Sequence, residues 1–396
     1  MKKLYFLGAA ANYSRKERWA HTFAVGLKRD CEDLTDLLEK KYEGRAMLTK
    51  NGRSALTLAL KVNLPKGSHV IINGFTCHAV YEAVKAAGMI PVFADINKDT
   101  LNFDINTLNA SLDISGHTSS RPSSRGSSFS PLPVVADGPE TSKPSVQSAI
   151  IIQNTLGNVV DIEAIEKWAE ENNVVIIEDL AHCTGRKYAD GREVGTVGAA
   201  TALSFGKDKS IDTISGGAVI FRAKMPKIAA PRLKPRRSDA LRERFYPMFG
   251  AKYRALAHIH LNGIYMKTLL ALHWVQKSAD NKLETNRKIS KFEAKRALRQ
   301  MELLNKAGED NIRDFYLVRD RDKLLQELAE AGYYFSGFWY EKPVSPERYY
   351  EKVKFPEADC PVAVEVANKI INVPKYYNKE ELAPAMKIIE KYVEEA

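Results

Sequence analysis

Two polar residues come shortly after predicted buried strands, and together they could do chemistry. Asp179 comes after the apolar run at residues 174–177, and Lys209 comes after the predicted strand at residues 201–205. Ligands of open α/β sheets bind outside the carboxyl ends of the strands. A carboxylate there could bind a metal ion, a ribose hydroxyl or a protonated ring nitrogen, and a desolvated lysine could act as a nucleophile. Taken alone, a structural carboxylate and a solvated loop lysine explain these residues equally well or better.

A third element could hold a phosphate group. Gly52, Arg53 and Ser54 stand at the predicted start of a helix, where free backbone N–H groups and the helix dipole favour anions. The segment has neither the GxxxxGK[ST] sequence of a P-loop nor a dinucleotide fingerprint. It is therefore a weak signal unless other elements support it.

The elements that must position these residues alternate between strands and helices. Such alternation predicts an α/β fold with a mainly parallel sheet flanked by helices. A Ser- and Pro-rich stretch at 113–146 interrupts the order and predicts a disordered or loosely ordered surface loop. Strands are predicted at residues 69–73, 90–94, 149–153, 174–177, 201–205 and 218–221, and a helix at about 78–87.

The pattern predicts three regions along the chain. Residues 1–225 would form the large domain, and residues 226–285 a basic, partly helical insertion or linker with its helix at 256–277. Residues 286–396 would form a smaller C-terminal α+β domain, which begins with charged helical sequence at 290–331 and ends in short strands and helices.

The net charge of the chain is +10, and much of the excess lies in one segment. Between residues 222 and 254 only Asp239 and Glu243 oppose the basic residues. Such a patch could attract nucleic acid, an anionic membrane surface or a phosphorylated substrate, although a solvated basic face is more common. We keep an anionic membrane surface at 226–280 as a candidate partner and do not expect nucleic acid.

The N-terminus and the cysteines bear on whether the protein is secreted, spans a membrane, binds a metal or contains disulfides. The sequence MKKLYFLGAAANYS could imitate a signal peptide, but its apolar run is short and Arg15, Lys16 and Arg18 follow closely. We therefore predict a cytoplasmic protein, with peripheral membrane contact as an option. No apolar run reaches the ~18 residues of a membrane span. The four cysteines form no CxxC pair, so neither a metal site nor a disulfide framework is predicted.

In combination, these elements resemble the DegT/DnrJ/StrS family of sugar aminotransferases. EDLAHCTG at 178–185 is similar to the family's EDxA(Q/H)xxG motif, and SFGKDKSIDTISGG at 204–217 is similar to its SFxxxK and GG motifs. Residues 286–294 and 360–382 resemble its NYRxSxxxA and PVAExxAxxxLxLP stretches. The resemblance covers most of the chain outside 113–146 and 226–280.

The resemblance implies a pyridoxal 5'-phosphate (PLP) enzyme of fold type I. Its register selects Lys209 rather than Lys207 as the lysine that binds PLP and moves protons, with Asp179 pairing with the pyridinium nitrogen. Asn286 would reach the phosphate of a neighbouring subunit, which implies a homodimer with shared active sites. The implied cofactor-binding residues are Gly52, Arg53, Ser54, Phe75, Asn154, Asp179, His182, Ser204, Lys209 and Asn286.

Three positions depart from the family pattern. Cys77 stands where the family stacks an aromatic residue on the ring, so Phe75 or His78 would have to substitute. Asn154 replaces a histidine, and Ser215 replaces the glutamate before Gly-Gly.

The resemblance implies an aminotransferase that moves an amino group from an amino acid, with glutamate expected, to a nucleotide-linked keto sugar by a ping-pong Schiff-base mechanism. Two alternatives remain open: a PLP enzyme with a non-sugar substrate, and a non-catalytic relative that binds a membrane or nucleic acid through its basic segment. Retention of both Lys209 and Asp179 argues against the second alternative.

Overall fold

The computed structural model describes residues 4–6, 13–114, 148–207, 209–222, 231–275, 283–307, 312–335, 339–375 and 379–394. The strands are β1 (Tyr5–Phe6), β2 (Arg45–Thr49), β3 (His69–Asn73), β4 (Thr76–Cys77), β5 (Ile90–Ala94), β6 (Ser148–Ile152), β7 (Val174–Asp179), β8 (Ala200–Ser204), β9 (Gly217–Phe221), β10 (Arg313–Leu317), β11 (Tyr333–Tyr334), β12 (Val344–Ser345) and β13 (Ile370–Pro374). The helices are α1 (Arg15–Phe23), α2 (Lys28–Tyr42), α3 (Gly52–Asn63), α4 (His78–Ala87), α5 (Ile105–Ile114), α6 (Ile162–Glu171), α7 (Arg237–Ala257), α8 (Asn262–Ala271), α9 (Lys291–Ala307), α10 (Arg321–Ala331), α11 (Tyr350–Val353), α12 (Pro361–Lys369) and α13 (Lys379–Glu390).

A seven-stranded sheet in the order β2-β9-β8-β7-β6-β3-β5 forms the centre of the fold. Strands β5, β3, β6, β7 and β8 run parallel, whereas β9 is antiparallel to both of its neighbours. Helices cover both faces, with α3 and α4 in one apolar cluster and α2, α5, α6 and α9 in the other. The predicted mainly parallel sheet flanked by helices is confirmed, and each predicted strand is present within one or two residues.

A smaller layer of the C-terminal region packs beside this sheet. Strands β10 and β13 pair antiparallel, and α10 and α13 share an apolar cluster with them. The N-terminal strand β1 pairs in parallel with β11, so the start of the chain joins this layer. Strand β12 pairs with β4, which ties the C-terminal region to the sheet end that follows β3.

Two predictions about secondary structure are only partly right. The predicted helix at 256–277 covers only the end of α7 and all of α8, because α7 already begins at Arg237 and continues through Pro247. The predicted helical stretch 290–331 contains β10, whose polar start conceals the strand. The predicted loop 113–146 lies outside the described residues from 115 onward, and its first two residues belong to α5.

Within the described residues, no helix combines the length and the apolar character that crossing a membrane requires.

Glu178 fixes the strand end that carries Asp179. Its fully buried carboxylate accepts hydrogen bonds from the N–H groups of Gly195, Val197 and Gly198 at 2.7 to 2.9 Å and from the hydroxyl of Tyr188 at 2.7 Å. Gly195 adopts φ +104°, and a Cβ atom there would lie 2.6 Å from Leu180. The turn after β7 is thereby held against the residue next to the predicted catalytic carboxylate.

Candidate active site

Asp179 and Lys209 lie near each other at the carboxyl end of the parallel strands. Asp179 is the last residue of β7 and is buried, with its Oδ1 atom accepting the N–H of Ala181 at 3.0 Å. Burial raises the pKa of this carboxyl, and the positive charge of Lys209 partly offsets that effect. The structure thus places a lysine and a carboxylate in one site, at the strand ends where ligands were expected.

The two lysines of the loop after β8 face different surroundings. The Nζ atom of Lys209 lies 4.6 Å from the ring centroid of Trp339, whereas Nζ of Lys207 lies 3.8 Å from that of Tyr246 on α7. Only Lys209 acts electrostatically on both Asp179 and His182. This geometry supports Lys209 as the residue that binds the cofactor.

The residues predicted to hold a phosphate, which we call the phosphate cradle, lie at the N-terminus of α3. Asn51 caps this helix by accepting the N–H of Ser54 at 2.8 Å. A Cβ atom on Gly52 would lie 2.5 Å from Cβ of Ser204, so only glycine allows α3 to approach the end of β8 this closely. Arg53 forms an ion pair with Glu82 at 2.7 Å beside the cradle.

Among the described residues, the hydroxyl oxygen of Ser54 is a buried polar atom with no hydrogen-bond partner. A buried hydroxyl without a partner is costly, and a phosphate oxygen at a helix N-terminus would satisfy it. The residues present at this end of the sheet therefore fit the phosphate of PLP, while Lys209 and Asp179 fit its aldehyde and ring nitrogen.

His182 is buried between strand-end loops. Its Nδ1 atom accepts the N–H of Leu156 at 3.2 Å, so the proton of the neutral ring lies on Nε2, which is 3.3 Å from the hydroxyl of Tyr340. Burial, then the charges of Lys209 and Arg313, hold the pKa of His182 well below 6.5. A neutral ring that donates from Nε2 suits contact with a phenolic oxygen.

We expect His182 to weaken the cofactor-free protein on acidification. Because its folded-state pKa lies below the ordinary value of 6.5, the unfolded chain binds a proton that the folded site does not. The stability is therefore fully present above about pH 6.5 and is lost as the pH falls below it. Denaturant titrations at pH 7 and pH 5 should show this extra loss in the wild type and not in His182→Gln. Equal losses in both proteins would contradict it.

Next to Lys209 lies an aromatic ring that the sequence analysis did not name. Phe75 is fully buried in the apolar core and packs edge-on against Tyr340 at 5.0 Å, while His78 stacks on Tyr349 at 4.2 Å. The aromatic ring beside Lys209 belongs to Trp339, which also stacks on His182 at 4.8 Å. The sequence analysis missed Trp339 and Tyr340, although the aromatic run at 338–340 was a visible signal.

The two predicted asparagines occupy different environments. Asn154 is fully buried, and its Oδ1 atom accepts the N–H of Val160 at 3.0 Å, which shapes the turn after β6. Asn286 is exposed and precedes the buried Arg287. An exposed Asn286 is free to reach a second copy of the chain, and its role there stays a prediction.

A buried charge cluster lies directly behind the phosphate cradle. Nζ of Lys50 donates to Oγ of Ser215 at 3.0 Å and to the carboxylate of Glu243 at 2.5 Å, and Glu293 lies 3.8 Å away. Burial and the neighbouring Glu293 raise the pKa of Glu243. Although burial opposes it, Lys50 and hydrogen bonds hold the pKa of Glu293 below its ordinary value. Carboxylates from α7 and α9 thus contact the serine that departs from the family pattern.

The fold defines a class of protein, the fold type I PLP enzymes, and the grouping of Lys209, Asp179 and the N-terminus of α3 at the carboxyl ends of the strands fits that class. The model of the DegT/DnrJ/EryC1/StrS aminotransferase family matches residues 32–391, and the chain belongs to this family. It is an aminotransferase, and its cofactor is PLP.

Similar proteins agree with this assignment. GDP-perosamine synthase of Escherichia coli O157:H7 is 23% identical over 346 residues, which cover 85% of this chain and 82% of that protein. L-glutamine:2-deoxy-scyllo-inosose aminotransferase of Streptomyces kanamyceticus is 26% identical over 220 residues, which cover 54% and 43%.

Solved structures show the same fold. DesV of S. venezuelae matches with a TM-score of 0.65 at 18% identity and covers 100% of both chains. The PLP-form of Spr1654 from Streptococcus pneumoniae matches with a TM-score of 0.63 at 17% identity and covers 98% of this chain and 99% of that one. The predicted fold type I is confirmed.

Proposed function

We propose that this enzyme moves the amino group of an amino acid, glutamate in the first place, to the ketone of a nucleotide-linked sugar. The observation that carries the proposal is that Lys209 lies close enough to act electrostatically on Asp179 at the strand ends that also carry the phosphate cradle, in a chain whose relatives include a GDP-perosamine synthase. PLP, when bound, supplies an electron sink for the carbon that exchanges the amino group.

Each residue of the chain has a separate task in this proposal. Lys209 holds the cofactor covalently and moves the proton between substrate and cofactor carbons. Asp179 keeps the ring nitrogen protonated, and neutral His182 donates from Nε2 toward the ring's phenolic oxygen. Ser54, Ser204 and the N-terminus of α3 bind the phosphate and so fix the orientation of the ring.

The two half-reactions test the proposal separately. PLP-loaded protein mixed with glutamate should lose the visible absorbance of lysine-bound PLP, and 2-oxoglutarate should appear in equal amount. The aminated enzyme should regain that absorbance with at least one of a panel of GDP-, UDP- and dTDP-linked keto sugars. Recovery only with a non-sugar ketone would contradict the sugar acceptor and favour the alternative substrate class.

We further propose that the enzyme is a homodimer whose active sites each take Asn286 from the neighbouring subunit. The exposed position of Asn286 supports this. We expect Lys209→Ala and Asn286→Asp proteins to be inactive alone and to recover part of the activity when mixed, since one site of the hybrid dimer is then intact. No recovery between two folded dimeric variants would contradict shared sites.

We also propose that an outer face of α1, α7 and α8 contacts an anionic phospholipid surface. This face carries exposed apolar side chains at Trp19, Phe23, Ile264 and Leu272 beside the basic residues of α7. Apolar anchors flanked by basic residues are complementary to anionic lipid headgroups. The three helices are neighbours, since α1 and α8 both pack against α7.

Point substitutions are the suitable test of this surface. Deleting 226–280 would remove Glu243 from the buried cluster with Lys50, so the enzyme itself would be damaged. Ile264→Glu with Leu272→Glu should abolish sedimentation with phosphatidylglycerol-containing vesicles and leave activity on soluble substrates unchanged. Unaltered sedimentation, or a loss of self-association in its place, would contradict membrane contact through this face.

A further inference from the structure

Trp339 is a half-buried tryptophan in the segment before β12, and the roles described above give it no task. Strand β12 pairs in parallel with β4, and the N–H of Thr76 donates to the carbonyl oxygen of Pro343 at 2.7 Å. This pairing holds the segment before β12 beside the sheet end that follows β3. An indole ring from the C-terminal region thereby enters the active site.

The indole ring is a neighbour of two groups that act on the cofactor in the proposed function. Nζ of Lys209, where the cofactor is bonded, lies 4.6 Å from the centroid of the Trp339 ring. The imidazole of His182, which donates toward the phenolic oxygen, stacks on the same ring with 4.8 Å between centroids and 17° between planes. Two of the atoms that anchor the cofactor ring therefore lie beside one aromatic side chain.

The chemistry of an indole suits the cofactor ring. A pyridine ring whose nitrogen stays protonated is flat, electron-poor and cationic. The face of an indole carries the negative part of its quadrupole, and it attracts cations more strongly than the face of phenylalanine or tyrosine. Trp339 already presents this face to a cation, because the ammonium group of Lys209 lies over its ring.

The aromatic residues that the sequence analysis considered for the ring have other positions. Phe75 is fully buried in the apolar core, and His78 stacks on Tyr349 at 4.2 Å. Cys77 lies between them in the sequence and has no ring to offer. The aromatic face beside the reacting lysine is therefore the indole of Trp339.

We propose that Trp339 stacks on the cofactor ring and so keeps its nitrogen aligned with Asp179. The inference rests on the proposed attachment of PLP at Lys209, and it does not depend on the donor or the acceptor. The phosphate cradle fixes one end of the cofactor, but a ring held only at its phosphate and at one bond can still tilt. A stacking face restricts that tilt and thereby maintains the geometry that the reaction needs.

Binding of pyridoxamine phosphate to the cofactor-free protein tests this contact. This form of the cofactor carries an amine in place of the aldehyde, so it forms no bond with lysine and its affinity reports the noncovalent contacts alone. We expect its dissociation constant, measured by calorimetry, to rise about 5- to 30-fold in Trp339→Leu, because an aromatic and cation–π contact is lost. Trp339→Phe keeps a stacking face and should stay within about threefold of the wild type.

Inorganic phosphate distinguishes a lost stacking contact from a damaged site. Phosphate binds the cradle without a ring, so a fixed concentration of it should raise the melting temperature of Trp339→Leu and of the wild type equally. Trp274→Leu is the matched control, because it removes a tryptophan that follows α8 and packs edge-on against Phe249 at 5.6 Å. It should leave the dissociation constant of pyridoxamine phosphate unchanged.

Three outcomes overturn the proposal: equal dissociation constants in folded Trp339→Leu and the wild type, an equally large rise in Trp339→Phe, and a loss of phosphate stabilisation together with the weaker binding. If Trp339→Leu does not fold, Trp339→Gln replaces it with the same expected rise, since glutamine is long but has no aromatic face. A wild type that does not react with glutamate contradicts the proposed function and leaves this comparison intact, because the binding measurement needs no turnover.

Discussion

Replacing Lys209 by alanine is expected to lower kcat/KM by at least about 10⁴-fold, which corresponds to roughly 5 kcal/mol of transition-state stabilisation. In the proposed function Lys209 has two tasks that alanine cannot perform, namely covalent attachment of PLP and movement of the proton during amino transfer. Its position over Trp339 and near Asp179 is the structural basis. The visible absorbance of lysine-bound PLP should be lost together with the activity.

Lys207→Ala is the matched control for that prediction. Lys207 precedes Lys209 by two residues but lies over Tyr246 of α7. We expect its variant to keep the absorbance band and to stay within a few-fold of wild-type activity. A band that survives in Lys209→Ala and disappears in Lys207→Ala would show that the register of the lysine is wrong.

The second large effect is expected for Asp179→Asn. Asparagine has the shape of aspartate and can still accept the N–H of Ala181, but it cannot hold a proton on the ring nitrogen. We expect kcat/KM to fall on the order of 10³-fold, or about 4 kcal/mol. Measurement of both half-reactions checks this, since each of them needs the protonated ring.

The melting temperature of the cofactor-free Asp179→Asn protein is the control for this prediction. Burial raises the pKa of the Asp179 carboxyl, so the folded cofactor-free protein bears the cost of a desolvated charge. Removal of that charge should leave the melting temperature of the cofactor-free protein unchanged or raise it. A lower melting temperature would mean that the loss of activity arises from unfolding, and the assigned role of Asp179 would then be unsupported.

The sequence determined much of the sheet and the positions of the chemical groups at its edge. Apolar runs such as residues 69–73 and 174–177 are short, continuous and bounded by polar residues, and they became β3 and β7 within a few residues. The rule that strand ends carry ligand-binding residues drew attention to Asp179 and Lys209, because it needs only local order along the chain, and the resemblance to the family then assigned their roles.

The local sequence pattern did not reveal two elements, because charged residues or a proline obscured their character. Strand β10 starts with Arg313 and Asp314, so its sequence resembles a charged helix, and α7 contains Pro247 and many basic residues. In both cases packing overrides the local preference: β10 pairs with β13, and α7 is anchored by Glu243 on Lys50.

Only the tertiary structure decided which distant residues complete the site. Trp339 and Arg313 join Lys209 and His182 because β10 and the segment before β12 return to the sheet edge after more than a hundred residues. Ser215 likewise donates to carboxylates of two helices that follow it, Glu243 on α7 and Glu293 on α9. The sequence alone determines strands, helix starts and motif spacing, since these depend on neighbours along the chain. Contacts between distant segments depend on how the chain reverses and packs, which no local period encodes.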